Sequence, residues 1–170
     1  MAVYQCYFAL APKGGVLAVH GMVPEQISVT AGEDGFEHNT AIYWARTQVQ
    51  ATVISREVDT LLPSASWGNG PDGHSWKMET KEIDVDASLG FNPTSGWIEE
   101  FSFRFDLRDP EVAFLRQMLT LARGHDLLLM DDQGRLSLPE PEPVWALVKQ
   151  SRAYLFMTDR ESFWQTVAKE

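Results

Sequence analysis

Apolar and polar residues alternate most cleanly over 98–108, where Phe101, Phe103, Phe105 and Leu107 interleave with Ser102, Arg104, Asp106 and Arg108. A period of two is that of a strand with one face buried and the other solvated, so 98–108 is read as a strand. Asp109-Pro110-Glu111 follows with a capping oxygen, a proline suited to the first helical position and a carboxylate at the positive end of the dipole. Val112, Leu115, Met118, Leu119 and Ala122 then recur at helical spacing, and Gly124 stands where a left-handed residue would end the helix. The run Leu127-Leu128-Leu129-Met130 has no alternation and suits a strand covered on both faces. A helix between two strands predicts a β-α-β unit over 98–130 with parallel strands, and 131–134 turns the chain into a hairpin partner over 135–138.

Elsewhere the pattern is mixed. Residues 2–10 are apolar on both faces and read as an internal strand, with Pro12-Lys13-Gly14-Gly15 as a turn and 16–19 as the returning strand of a hairpin. Ile27-Ser28-Val29 is a short β-like run. Over 39–62, Ala41, Ala45, Val49 and Val53 lie on one helical row and predict a long helix, although Thr47, Val49, Thr52, Val53 and Ile54 also fit a strand. Tyr43 and Trp44 are expected as core anchors. Residues 63–75 (PSASWGNGPDGHS) form an irregular loop, and 76–88 is read as a strand with Ile83, Val85 and Ala87 on one face, paired antiparallel with 98–108. Past a stiff linker at 139–143, Val144, Leu147, Val148, Ser151, Tyr154 and Leu155 give a helical face. Thr158-Asp159-Arg160-Glu161 matches a capping box that opens a final helix burying Phe163 and Val167. The fold class is α+β: a mixed, mostly antiparallel sheet with helices packed largely on one side.

Length and composition narrow this further. A chain of 170 residues with 44% apolar content suits one domain over 1–170, with a possible subdivision into 1–62 and 63–170. No apolar run approaches the roughly 18 residues of a membrane helix, so no membrane partner is expected. The N-terminus reads as a strand rather than a secretory signal, and the single cysteine, Cys6, fits a reducing cytoplasm and the role of a small buried hydrophobe. Fourteen Lys and Arg against 24 Asp and Glu give a net charge of −10. Without a concentrated positive surface, nucleic-acid binding is not expected.

The candidate chemistry is sparse. His20, His38, His74 and His125 show no metal-ligand spacing, and no nucleophile elbow, Walker motif or EF-hand is present, so no metal or cofactor is expected. His125, beside Gly124, is expected to meet the last carbonyls of its helix. His74 and Asp72, in the glycine-rich loop, are the candidate acid and base of an enzyme reading in which Trp67 or Trp76 stacks on substrate.

The other candidate is a surface. Pairing of 76–88 with 98–108 places Glu82, Asp84 and Asp86 on one sheet face with Glu100, Arg104, Asp106 and Arg108. Trp67, Trp76 and Trp97 are expected to flank it, as aromatic anchors do in interfaces. Such a clustering of carboxylates is costly unless it is offset: either this is an ordinary exposed sheet face partly neutralised by internal Arg–Asp pairs, or it is a recognition face for a cationic protein, with which complementary charge speeds association.

The layout of Ser66-Trp67-Gly68, Trp76, Ile98-Glu99-Glu100, Arg104 to Arg108, Phe114-Leu115, Leu121-Ala122 and Ser151-Arg152-Ala153 resembles a group of small bacterial α+β proteins, over about residues 66–156. In size, acidity and lack of catalytic motifs the chain is similar to immunity proteins that neutralise bacterial toxins. The resemblance implies a non-enzymatic protein-binding module with a basic protein, such as a toxin, as its partner, and it transfers no catalytic residues. The competing expectations are a small hydrolase-like enzyme with its site in the 63–76 loop and a homo-oligomeric structural protein.

Overall fold

The computed structural model describes residues 3–32, 35–37 and 40–167; His38 and the side chain of Val167 lie outside what is described. In chain order the elements are β1 (Gln5–Pro12), α1 (Lys13–His20), β2 (Thr30–Gly32), β3 (Gly35–Glu37), α2 (Ala41–Trp44), α3 (Ala51–Val58), β4 (Gly73–Glu79) and β5 (Asp84–Phe91). They continue with β6 (Ile98–Asp106), α4 (Ala113–Gly124), β7 (Leu127–Met130), β8 (Leu136–Ser137), α5 (Pro141–Val148), α6 (Arg152–Thr158) and α7 (Arg160–Val167).

The apolar pattern on both faces of β1 is explained by its neighbours. In the sheet order β4-β5-β6-β1-β7-β8 it lies between β6 and β7, with Phe8 opposite Phe103 and Leu10 opposite Leu129. Every neighbouring pair is antiparallel, so β6 and β7 run parallel to one another, as the β-α-β pattern requires, but with β1 inserted between them. Helix α4 therefore bridges strands two positions apart. The sheet and the helices make an α+β fold, and no helix among the described residues is long and apolar enough to cross a membrane.

Phe101, Phe103 and Phe105 of β6 point to one side, where they meet Cys6, Phe8 and Leu10 and are covered by Ile54 and Val58 of α3, Phe114 and Met118 of α4, Val144 and Val148 of α5, and Ala153 of α6. The Phe8 and Phe105 rings stack at 6.2 Å, and Phe114 meets Phe103 edge-on at 6.0 Å. Such ring pairs add about 0.5–1.5 kcal/mol each beyond area burial. A smaller cluster of Ala11, Val16, Tyr43 and Leu128 places α1 against the opposite face. Helix α2 serves both clusters, with Tyr43 in the small one and Trp44 in the main core.

Helix α1 replaces the expected turn and returning strand at 12–19. Gly15 is buried, and a Cβ there would sit 2.1 Å from the Tyr43 carbonyl oxygen, so this glycine permits close helix approach rather than a turn. The stop signal lies further on, at Gly21, which is left-handed (φ 73°) and donates its N–H to Leu17 O. Gly15→Ala is expected to force α1 and α2 apart and to cost about 1–3 kcal/mol, measurable as a lower urea midpoint with unchanged m. A loss below about 0.5 kcal/mol would show that the two helices separate freely.

Other boundaries shift for local reasons. The 39–62 segment is helical at its ends but broken: Gln48 is left-handed (φ 53°), and 49–51 pairs with the strand entry through Ile98 N to Val49 O and Ala51 N to Gly96 O. The expected strand 76–88 is a hairpin of β4 and β5 whose turn is held by Thr80 Oγ1, which accepts the N–H of both Glu82 and Ile83 at 3.1 Å. Helix α4 begins at Ala113, not at Pro110, because the Asp109 carboxylate accepts the N–H groups of Glu111 and Ala113 across a turn. At its other end Gly124 remains helical, and the left-handed residue is Asp126 (φ 50°). Helix α5 starts inside the expected linker, at Pro141, and α7 is capped by Asp159 rather than Thr158, through Ser162 N and Oγ. The 131–138 hairpin is present, but the β-like run at 27–29 forms no strand: only Gln26 bridges Arg135, and Ile27 N donates to Gly134 O at 2.8 Å.

Candidate functional site

The face opposite the phenylalanines is built by the register of three strands. Lys77 of β4 lies across from Asp86 of β5, Asp86 across from Arg104 of β6, and Arg104 across from Tyr7 of β1. One row therefore reads Lys-Asp-Arg-Tyr, with Ser75, Ser88 and Ser102 beside it and Glu79, Asp84 and Asp106 on its other flank.

Its carboxylates are largely neutralised within the fold. Asp86 is 5% exposed and accepts Arg104 Nε at 2.9 Å and Nη2 at 2.5 Å, a bidentate fork. Asp106, 1% exposed, accepts the backbone N–H of Asp84 and of Arg108 as well as the Arg108 guanidinium, which also stacks 3.7 Å over the Tyr4 ring. Lys77 Nζ stands 2.8 Å from Glu79 and 3.3 Å from Asp84 Oδ1, the latter an ion-pair contact without an aligned hydrogen bond. Glu100 has no ion-pair partner among the described residues, and partial desolvation raises its pKa. Burial, reinforced by the Glu100 charge, pushes the Tyr7 phenol up to about 12, so it remains a neutral donor.

The residues expected to share one sheet face do so, and the Arg–Asp pairs expected to neutralise it in part are formed. Asp84, Asp86, Glu100, Arg104 and Asp106 share the face, and Arg108 returns to it from just past the end of β6. Glu82 lies in the β4–β5 turn. Trp76 does not flank the surface: it is 2% exposed in the core on the other side, with Nε1 donating to Asp59 Oδ1 at 2.7 Å. Trp67 is half-exposed in the loop beside the face, where a Cβ on Gly68 would meet Ser75 Oγ. Trp97 sits at the strand entry, bridged to Gln50. Lys77 and Glu79 were not foreseen, because the hidden turn at 80–83 put β4 out of phase with β5, and Tyr7 was not, because residues 2–10 read as apolar on both faces. The alternation of Tyr7 with Cys6 and Phe8 was the one available signal for Tyr7.

The 63–72 loop is ordered against β4. Ala65 N donates to Ser75 O and Lys77 N to Pro63 O, and the Asn69 side chain bonds Ala65 O, Trp67 O and Ser75 N. His74 belongs to β4, where its ring packs against Phe91 at 5.2 Å and Trp76 at 5.9 Å. No hydrogen bond joins it to Asp72, and neither residue lines the cavities at α4–α5, at Cys6 or at Gln26–Val29. His20 Nε2 meets Tyr43 Oη at 3.0 Å, and His125 meets the last carbonyls of α4 through its backbone N–H, which donates to Leu121 O at 3.1 Å, while its ring Nε2 meets Glu57 Oε1 at 2.8 Å. Cys6 is buried beside Ser151 Oγ at 3.2 Å, and desolvation pushes its thiol up to about 12, an inert state. Comparison with family models, with curated proteins and with solved structures returned no match to this chain.

Proposed function

We propose that the chain is a non-enzymatic protein-binding module that meets a basic protein through the polar face of β4, β5 and β6, with neutralisation of a toxin as the specific form of that role. The observation that carries the reading is the residual charge of this open face. Glu79, Asp84, Asp86, Glu100 and Asp106 outnumber Lys77, Arg104 and Arg108 by two, and Glu79 and Glu100 are exposed. The internal ion pairs fix the geometry of the surface, while the unpaired Glu100 and the half-exposed Trp67 are left to a partner. A cation placed on Glu100 would offset its desolvation, and an indole at the margin supplies apolar contact area. The overall charge of −10 favours encounter with a basic protein over an acidic one.

The test is affinity isolation followed by titration with the purified captured protein. A basic partner is expected, with affinity that falls as salt rises and that weakens by about tenfold or more in Glu100→Lys and in Trp67→Ala. Both residues are outside the core, so the variants retain the wild-type melting temperature. Affinity unchanged by these substitutions and by salt would assign the interaction to another surface and end this reading.

A further inference from the structure

A groove of about 580 Å³ lies between α4 and the start of α5, on the far side of the molecule's core from the face described above. Leu115 and Leu119 supply its apolar floor and Trp145 a wall, the indole being held edge-on to Tyr154 at 6.3 Å. Arg116, Thr120 and Arg123 form the rim at the i, i+4, i+7 spacing of one helical stripe. Arg104, Arg108 and Arg135 are each matched to an aspartate, whereas Arg116 and Arg123 are exposed and face no carboxylate among the described residues; Arg123 only reaches Thr120 Oγ1 at 3.4 Å. Glu111, Glu140 and Glu142 lie nearby in sequence, but none lines the groove. Val112, at the mouth, holds a left-handed backbone (φ 44°), a strained conformation for a β-branched residue that persists only where the surrounding structure fixes it.

A groove of this size with apolar walls and two unmatched guanidinium groups on one rim is complementary to a ligand that is apolar along its body and anionic at its head. We propose that the α4–α5 groove binds an amphipathic organic anion, a single-chain acyl or aryl carboxylate, with its body along Pro110, Val112, Pro141 and Trp145 above the buried Leu115 and Leu119, and its carboxylate on Arg116 and Arg123. This site is independent of the partner-facing sheet.

The probes are dodecanoate, its neutral counterpart dodecanol and the cation dodecyltrimethylammonium, titrated calorimetrically against the full chain, the two ions below their micelle concentrations and the alcohol below its solubility limit. Dodecanoate is expected to bind with one-to-one saturation, about tenfold or more tighter than dodecanol, since a charge-assisted hydrogen bond is worth at least that ratio. The double variant Arg116→Gln/Arg123→Gln is expected to remove this preference without changing dodecanol binding, and Thr120→Trp, which fills the groove from an exposed position, to weaken both. Circular dichroism confirms that each variant is folded. Absence of saturable binding, equal binding of all three probes, or carboxylate binding indifferent to the arginine substitutions overturns the proposal. So does self-association seen by light scattering and abolished by Thr120→Trp without any bound carboxylate, which would give the groove to a second copy of the chain.

Discussion

Replacing Asp106 by alanine is expected to lower the free energy of unfolding by about 3–5 kcal/mol, enough to remove a large part of the stability of a domain this size. The carboxylate joins three parts of the structure. It accepts the N–H of Asp84 at the start of β5, the N–H of Arg108 where β6 ends, and the Arg108 guanidinium. With alanine, two backbone donors and one cation lose their acceptor together. Arg108 is part-exposed and can turn to water, so most of the cost falls on the donors, at about 1–3 kcal/mol each. Asp106→Asn, which keeps an acceptor, should retain about half of the loss-sensitive stability, while Arg108→Ala should cost clearly less than Asp106→Ala. Urea unfolding of the three variants reads this order, and equal losses for Asp106→Ala and Arg108→Ala would show that the ion pair rather than the backbone is the element that matters.

Trp44→Ala is expected to cost a similar amount, about 3–5 kcal/mol. Its indole is fully buried, and Nε1 donates to Leu10 O of the central strand at 3.1 Å, so α2 is pinned to β1 by one side chain. Trp44→Phe separates the two contributions, because it refills much of the space but leaves the carbonyl without this donor; a loss of about 1–2 kcal/mol is expected. Thermal unfolding followed by near-ultraviolet circular dichroism checks both. A loss below about 1 kcal/mol for the alanine variant would mean that α2 is held by Tyr43 and its cluster instead.

Much of the scaffold was legible because its patterns have single readings. The alternation over β6, the unbroken apolar run of β7 and the helical spacing of α4 each admit one structure that buries them. The failures occurred where a local cue stood in for a long-range one. Gly14-Gly15 looks like a turn in isolation, and only the Tyr43 carbonyl, 28 residues on, reveals Gly15 as a packing glycine. The turn at 80–83 contains no glycine, proline or asparagine; a threonine hydroxyl closes it, so alternation appeared to run through. The polar face was readable as a set of residues sharing one side of a sheet. Its partial neutralisation by Arg–Asp pairs was readable too, but not which partners pair, since bidentate geometry and burial of Asp86 and Asp106 are properties of the packed pair. The α4 stripe of Arg116, Thr120 and Arg123 was equally visible in the sequence, but its apolar wall comes from Trp145, placed there by the later turn into α5.

The insertion of β1 between β6 and β7 also imposes an order on assembly. Cys6 waits for Phe105, and Leu10 for Leu129, partners about a hundred residues or more downstream, and contacts of that separation are slow to form. The β4–β5–β6 meander can close early from hairpin contacts, as can the short β7–β8 turn. Until β1 docks, the two pieces present facing bare edges, one along β6 and one along β7, each ready to take up a strand from another molecule. Among the described strands, β1 is thus synthesised before its partners but placed after them, and it functions as the bolt that joins two half-sheets.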